Sequence, residues 1–215
     1  MRRSIVVTLA LLAIVRSAAV AQTCMGMASY AHGPVQVAGS ADFVDGANRF
    51  GASAGYGLPG GVFGSANVGT TSYDGLDASL DFGVNVGYQM KVAKAQVCPV
   101  ASLGYANGPD SDANGINTSS KSAGFGLAVG TPLGTRRMQI VPTAGLGLVY
   151  GKSKIEIDGI GSAEGSDAYG IAQLGVGLVL NQSVSIRPSV AIPLGLTGSD
   201  ATFGVTVGFN FGGKR

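Results

Sequence analysis

Few residues in this chain have the means to do chemistry, and their settings narrow what that chemistry is. His32 is the single histidine among 215 residues, and a histidine that activates a nucleophile needs its partner within about 3 Å. Asp110, Asp112 and Asn114 have the alternate spacing of calcium ligands. The full EF-hand pattern with its terminal Glu is missing, so a solvated loop is expected there. Gly124, Gly126 and Gly130, like Gly145, Gly147 and Gly151, resemble a nucleotide-binding loop in composition only. They alternate along extended segments instead of opening a helix, which makes them strand glycines that leave room for larger neighbours. Six charged residues, Asp42, Arg49, Asp77, Asp81, Lys91 and Arg187, fall on the polar side of alternating segments. They either line a narrow aqueous passage or pair with one another and fill it, because charges in such an interior must be paired or wet. No catalytic residue, cofactor or metal is expected.

The elements that must position these groups are strands. From residue 34 onward the dominant period is two, which sends alternate side chains to opposite faces. Leu76, Ala78, Leu80, Phe82, Val84, Val86, Tyr88, Met90 and Val92 form one apolar row, interleaved with Asp77, Ser79, Asp81, Gly83, Asn85, Gly87, Gln89 and Lys91. Met138, Ile140, Pro142, Ala144, Leu146, Leu148 and Tyr150 repeat the pattern, as do Val184, Ile186, Pro188, Val190, Ile192 and Leu194. Turn residues divide the chain into ten strands at 34–45, 47–57, 61–72, 75–92, 95–106, 120–131, 137–151, 166–180, 183–194 and 201–212. Asp45-Gly46 and Asp74-Gly75 suit tight hairpin turns. Strands of soluble sheets cluster near ~5–6 residues, whereas a tilted strand crossing a bilayer needs about 9–11.

The amino terminus and the composition agree with a membrane destination reached by export. Arg2 and Arg3 precede an apolar run from Ile5 to Val15 that ends near Ala19, Val20 and Ala21, the form of a cleaved signal peptide. The run is shorter than the roughly 20 residues of a bilayer-spanning helix. Cleavage removes three of the 14 basic residues and leaves a charge near −1 against 12 acidic ones. With no Lys/Arg cluster, nucleic-acid binding is excluded. The chain carries 36 Gly, no Trp and only 12% charged residues, where a soluble domain has about 25%.

If the first strand starts in the periplasm, the two longest connections, 107–119 and 152–165, both lie outside. Those at 58–60, 93–94, 132–136 and 181–182 lie inside and are short, as in outer-membrane barrels. Aromatic girdles follow the same division. Phe43, Phe50, Tyr105, Tyr150 and Phe203 fall near outer strand ends, and Tyr56, Tyr88, Phe209 and Phe211 near inner ones. Phe63 and Tyr73 break the pattern, since they share a face with Ser65 and Asn67; they are expected inward. His32 is placed at the periplasmic end, away from the outer rim.

The alternating Gly-rich strands and the closing segment Phe203-Gly-Val-Thr-Val-Gly-Phe-Asn-Phe211 resemble the small outer-membrane β-barrel superfamily, the OmpA-like and opacity-type porin group. The resemblance covers nearly all of the chain after the signal peptide and implies an antiparallel transmembrane barrel, a closed up-and-down meander of ten strands, with eight as the alternative. In that family the last strand ends the chain on an aromatic residue read by the barrel-assembly machinery; here Phe211 is followed by Gly212, Gly213, Lys214 and Arg215.

Cys24 and Cys98 are the two cysteines of an exported chain, so a disulfide between them is expected. Cys98 lies near the inner end of its strand and Cys24 precedes the first strand, so the bridge draws residues 24–33 across the periplasmic mouth. Thr23 before Cys24 speaks against a lipid-modified terminus. The expected organisation is a signal peptide over 1–21, a periplasmic segment over 22–33, a barrel over 34–212 and a tail over 213–215. The expected protein is a monomer, not an enzyme, in contact with outer-membrane lipid and, during biogenesis, the barrel-assembly machinery. Its role is structural or surface interaction with a packed or narrow lumen; passive solute passage is the alternative.

Overall fold

The computed structural model describes residues 23–30, 34–74, 76–108, 115–195 and 200–212. A short 3₁₀ turn at Thr23–Met25 precedes twelve strands: β1 (Val35–Val44), β2 (Ala47–Gly57), β3 (Val62–Tyr73), β4 (Leu76–Tyr88), β5 (Met90–Val92), β6 (Ala95–Asn107), β7 (Ile116–Gly130), β8 (Leu133–Gly134), β9 (Met138–Ile157), β10 (Gly161–Leu180), β11 (Val184–Leu194) and β12 (Thr202–Phe211). β5 resumes the line of β4 after a break at Gln89, and β8 is a two-residue strand paired only with β9. The remaining ten make the wall, each antiparallel to its neighbour in sequence. β12 returns to β1 in register from Val35 opposite Phe211 to Phe43 opposite Phe203, which closes the sheet. The fold is a closed ten-stranded antiparallel barrel in a meander, which excludes the eight-stranded alternative.

Turn chemistry fits the narrow ends. Asp45-Gly46 joins β1 to β2 with Gly46 at φ 71°, and the turn at 181–183 has Asn181 and Gln182 at φ 47° and 56°. Such left-handed turn residues match the twist of the flanking strands. Gly75 of the second expected hairpin turn lies outside the described residues.

Two connections differ from the sequence expectation. The segment 152–165, read as a loop from its Gly and charged residues, continues as paired strand. β9 and β10 each run 20 residues and leave only Asp158–Ile160 to turn. β7 likewise begins at Ile116, opposite Ile157, so β7, β9 and β10 rise together as a three-stranded extension. The reason is that alternation persists there, with Ile155 and Ile157 on one face and Lys152, Lys154 and Glu156 on the other. Lys152 bonds Glu164 across the strands at 2.6 Å, and Lys154 bonds Glu156. The hydrogen bond from Lys152 holds the Glu164 carboxyl below its ordinary value. Its small stabilisation is therefore present above the ordinary Glu range and is lost as pH falls through the lowered value.

The burial pattern inverts that of a soluble protein. Leu103, Phe125, Leu146 and Leu148 point outward with 61, 63, 65 and 72% of their surface exposed, while Gln36, Ser79, Gln96, Ser185 and Asn210 are buried. A water-soluble monomer rarely shows so continuous an apolar surface. An outward apolar band over a polar interior is the arrangement of a transmembrane barrel. Phe43 and Phe50 meet edge to face at 6.4 Å in the outer girdle.

Candidate functional site: the lumen and its plug

The lumen is built from inward positions of all ten wall strands, and its inner mouth is filled by residues 23–30. Cys24 and Cys98 are joined by a disulfide, with their Cα atoms 6.1 Å apart and a sequence separation of 74. Both are fully buried and share a cluster with Tyr30 and Phe63, against which Met25 and Val100 pack. The Tyr30 and Phe63 rings lie 6.2 Å apart. This explains the aromatic that broke the girdle pattern: Phe63 faces inward because the plug supplies an apolar partner there. A second cluster seats Ala28 on Val141 and Val179.

Polar contacts satisfy the plug's backbone, which buried carbonyls require. Arg187 Nη1 donates to the Met25 carbonyl at 2.8 Å. Asn210 Nδ2 donates to the carbonyls of Ala28 and Ser29, each at 3.3 Å, while its Oδ1 accepts from Gln36 Nε2 at 2.7 Å. Glycines make the space. A Cβ at Gly57 would overlap the Tyr30 ring, and one at Gly177 would overlap the Gly26 carbonyl.

On the outer side of the plug lies a polar cavity of about 400 Å³, lined among others by Met25, Ser53, Asn67, Asn85, Gln173 and Arg187. A further space of about 260 Å³ lies against Asp81, Ser102, Ser120 and Ser122, and Asn67 and Asn85 line both. The six charges divide into three settings. Asp42, Arg49 and Asp81 come together: Arg49 Nη1 bonds Asp42 Oδ2 at 3.2 Å, and its Nη2 and Nε bond the two Asp81 oxygens at 2.6 and 3.1 Å. That two-pronged contact uses the planar guanidinium as only Arg can. Arg187 stands apart, holding the plug. Asp77 and Lys91 are exposed and make no ion pair among the described residues. Asp77 sits at the outer end of β4 and Lys91 on β5, beyond the break at Gln89.

His32, Asp110, Asp112 and Asn114 lie outside the described residues. Among the described residues no group of His, Cys, Asp or Glu could hold a metal ion. The sequence reasoning missed the uncharged lining, Asn67, Asn85 and Gln173, and the Gln36–Asn210 bond. Alternation placed these residues inward, but nothing distinguished them from other polar wall residues.

Replacing Arg49 with Met leaves Asp42 and Asp81 facing one another without their cation. Loss of one partner of a fully buried ion pair costs about 3–5 kcal/mol, and these side chains retain 20–29% exposure, so about 2–3 kcal/mol is expected. Urea titration of the folded barrel in micelles measures it. Adding Asp42→Asn and Asp81→Asn should restore most of the loss, and an unshifted midpoint in Arg49→Met would refute the clamp.

The fold is similar to that of the translocator domain of autotransporter NalP from Neisseria meningitidis, with 11% identity, 82% of this chain and 87% of that chain covered, and a TM-score of 0.50. LpxR from Salmonella typhimurium is similar at 10% identity, 82 and 100% coverage and a TM-score of 0.44. A KdgM porin is similar at 11% identity, 82 and 99% coverage and 0.42. No protein-family model matches the chain. No curated protein matches it either. At such identities the likeness is one of fold, and the names span different roles. With its outward apolar band, buried polar interior and closed meander, this chain has the fold of the small outer-membrane β-barrel proteins.

Proposed function

We propose that this chain is exported by a cleaved signal peptide over residues 1–21, inserted by the barrel-assembly machinery, and resides as a monomer in the outer membrane. There it serves a structural or surface-interaction role with a lumen closed at its periplasmic mouth. The observation that carries the closed lumen is the covalent seating of residues 23–30 by Cys24–Cys98. A pore needs a continuous water path, and the buried clusters around Tyr30 and Ala28 support the reading that the plug interrupts it. A ten-stranded barrel also encloses little space beyond its own side chains. The outward-reaching extension of β7, β9 and β10 supplies the surface for contact outside the cell.

A narrow porin is the second reading, favoured by the polar cavity on the outer side of the plug. Planar-bilayer recording separates the two. The oxidised wild type is expected to show no sustained unitary steps, and a Cys24→Ala, Cys98→Ala variant to show intermittent openings as the plug leaves its seat. Steady conductance of equal size in both would instead favour the porin.

A further inference from the structure

Among the described residues, Arg187 is the lumen cation without a counter-charge. Its Nη1 is spent on an uncharged group, the Met25 carbonyl at 2.8 Å, and its Nε is buried with no hydrogen-bond partner. No described carboxylate lies within ion-pair distance of it. A guanidinium taken out of water without an anion is costly, because burial removes its hydration and nothing replaces it. Holding the plug engages one of its donors and does not account for the charge.

The clamp has the opposite surplus. Arg49 answers two carboxylates, which leaves one negative charge over, and Asp42 accepts from it only through Oδ2. Asp42 Oδ1 turns toward Gly204 and accepts no hydrogen bond among the described residues. Gly204 pairs with Asp42 on one side of β12 and with Ser189 on the other, while Arg187 pairs with Thr206, the next lumen-facing position toward the plug. Asp42 and Arg187 therefore flank β12 with two strand spacings between them, roughly 10 Å. Both line the cavity of about 400 Å³. Ser53, Asn67, Asn85 and Gln173 supply uncharged donors and acceptors to the same chamber.

Water solvates such a chamber but leaves its two charges apart. A lone anion satisfies Arg187 and meets the surplus carboxylate, and a lone cation satisfies the clamp and meets Arg187. One small molecule carrying both charges answers both. We infer that the chamber binds a small zwitterion of the α-amino-acid type, its carboxylate on the Nη2 side of Arg187 and its ammonium on Asp42 Oδ1. The edge of Arg187 that stays free, Nε with Nη2, is the edge by which Arg49 grips both oxygens of Asp81, so its geometry suits a carboxylate. An ammonium has three donors, enough for Asp42 and the amide oxygens beside it. The site takes the seated plug of the closed-lumen reading as its floor, since the Met25 carbonyl fixes Arg187 there.

The test uses the full processed, oxidised protein in detergent micelles, with arginine side chains labelled by nitrogen-15 so that the Nε–H signal of Arg187 is followed by NMR. L-Serine is the probe. Its two halves are the controls: 3-hydroxypropanoate lacks the ammonium, and ethanolammonium lacks the carboxylate. Serine should shift the Arg187 signal saturably, and each half should bind about tenfold more weakly or worse, as expected for the loss of one charge-assisted contact. Asp42→Asn keeps an acceptor for Arg49 and should weaken serine about tenfold without weakening 3-hydroxypropanoate. Asp77→Asn, at the exposed outer end of β4, should change neither. Equal binding of serine and 3-hydroxypropanoate would show a plain anion site and overturn the inference. An equimolar mixture of the two halves that matches serine would show two separate ion sites and overturn it also. So would an unshifted Arg187 signal, which leaves water as the occupant. Planar-bilayer recording on the same preparation tests the floor separately: a barrel that conducts steadily yet binds serine would remove the closed lumen and keep the site.

Discussion

Removal of the Cys24–Cys98 bridge, in a Cys24→Ala, Cys98→Ala variant or by reductant after partial unfolding, is expected to lower the unfolding free energy by about 4 kcal/mol. The magnitude follows from the 74-residue separation of the two cysteines, since a long closed loop restricts the unfolded chain most in the chain-entropy account. The native state also contributes. Without the bond, residues 23–30 keep the hydrogen bonds from Arg187 and Asn210 and the Tyr30–Phe63 contact. A segment held by a few contacts opens locally at low free-energy cost. The expected result is therefore a lowered urea midpoint together with rapid proteolysis confined to residues 23–30 in the variant. Two free thiols in non-reducing mass spectrometry of the wild type, or an unchanged midpoint in the variant, would refute this account of the plug.

The second large effect concerns the outer wall. Leu146 lies outward at 65% exposure, in a row with Pro99, Leu127 and Ala172 and two rows inside Tyr150. Against hydrocarbon, Leu146→Arg is expected to cost about 2–4 kcal/mol, the cost of a cation near the bilayer midplane. On a soluble protein exposing the same leucine to water, the substitution would fall within about 0.5 kcal/mol of neutral. The measurement is reversible unfolding in lipid vesicles, compared with Ser53→Arg, which points into the wet lumen and should cost far less. A neutral Leu146→Arg would remove the membrane assignment, because no other feature of a barrel in lipid tolerates that charge.

Much of the fold was legible because strand faces are set by local alternation. The ten expected strands correspond to the ten of the wall, and the inward setting of Phe63 followed from its sharing a parity with Ser65 and Asn67. The exception is instructive. The stretch from Lys152 to Gly165 has the composition of a loop, yet its alternation persists and its pairing makes it strand, with Glu164 answering Lys152 from across the hairpin.

The candidate site was legible in part. Both cysteines and the six charges were read as inward or periplasmic from the alternation, but Asp77 and Lys91 are exposed, and the grouping of the other four was not legible. Arg49 reaches Asp81 over 32 residues and Arg187 reaches Met25 over 162, distances at which no local pattern carries information.

From the sequence by itself follow the strands and their inward and outward faces, because each depends on a period of two and on nearby turn residues. Strand number was decided only when β12 met β1. The plug's seat, the Asp42–Arg49–Asp81 clamp and the Lys152–Glu164 pair were likewise decided by register between strands, because a barrel brings together residues that the chain keeps far apart.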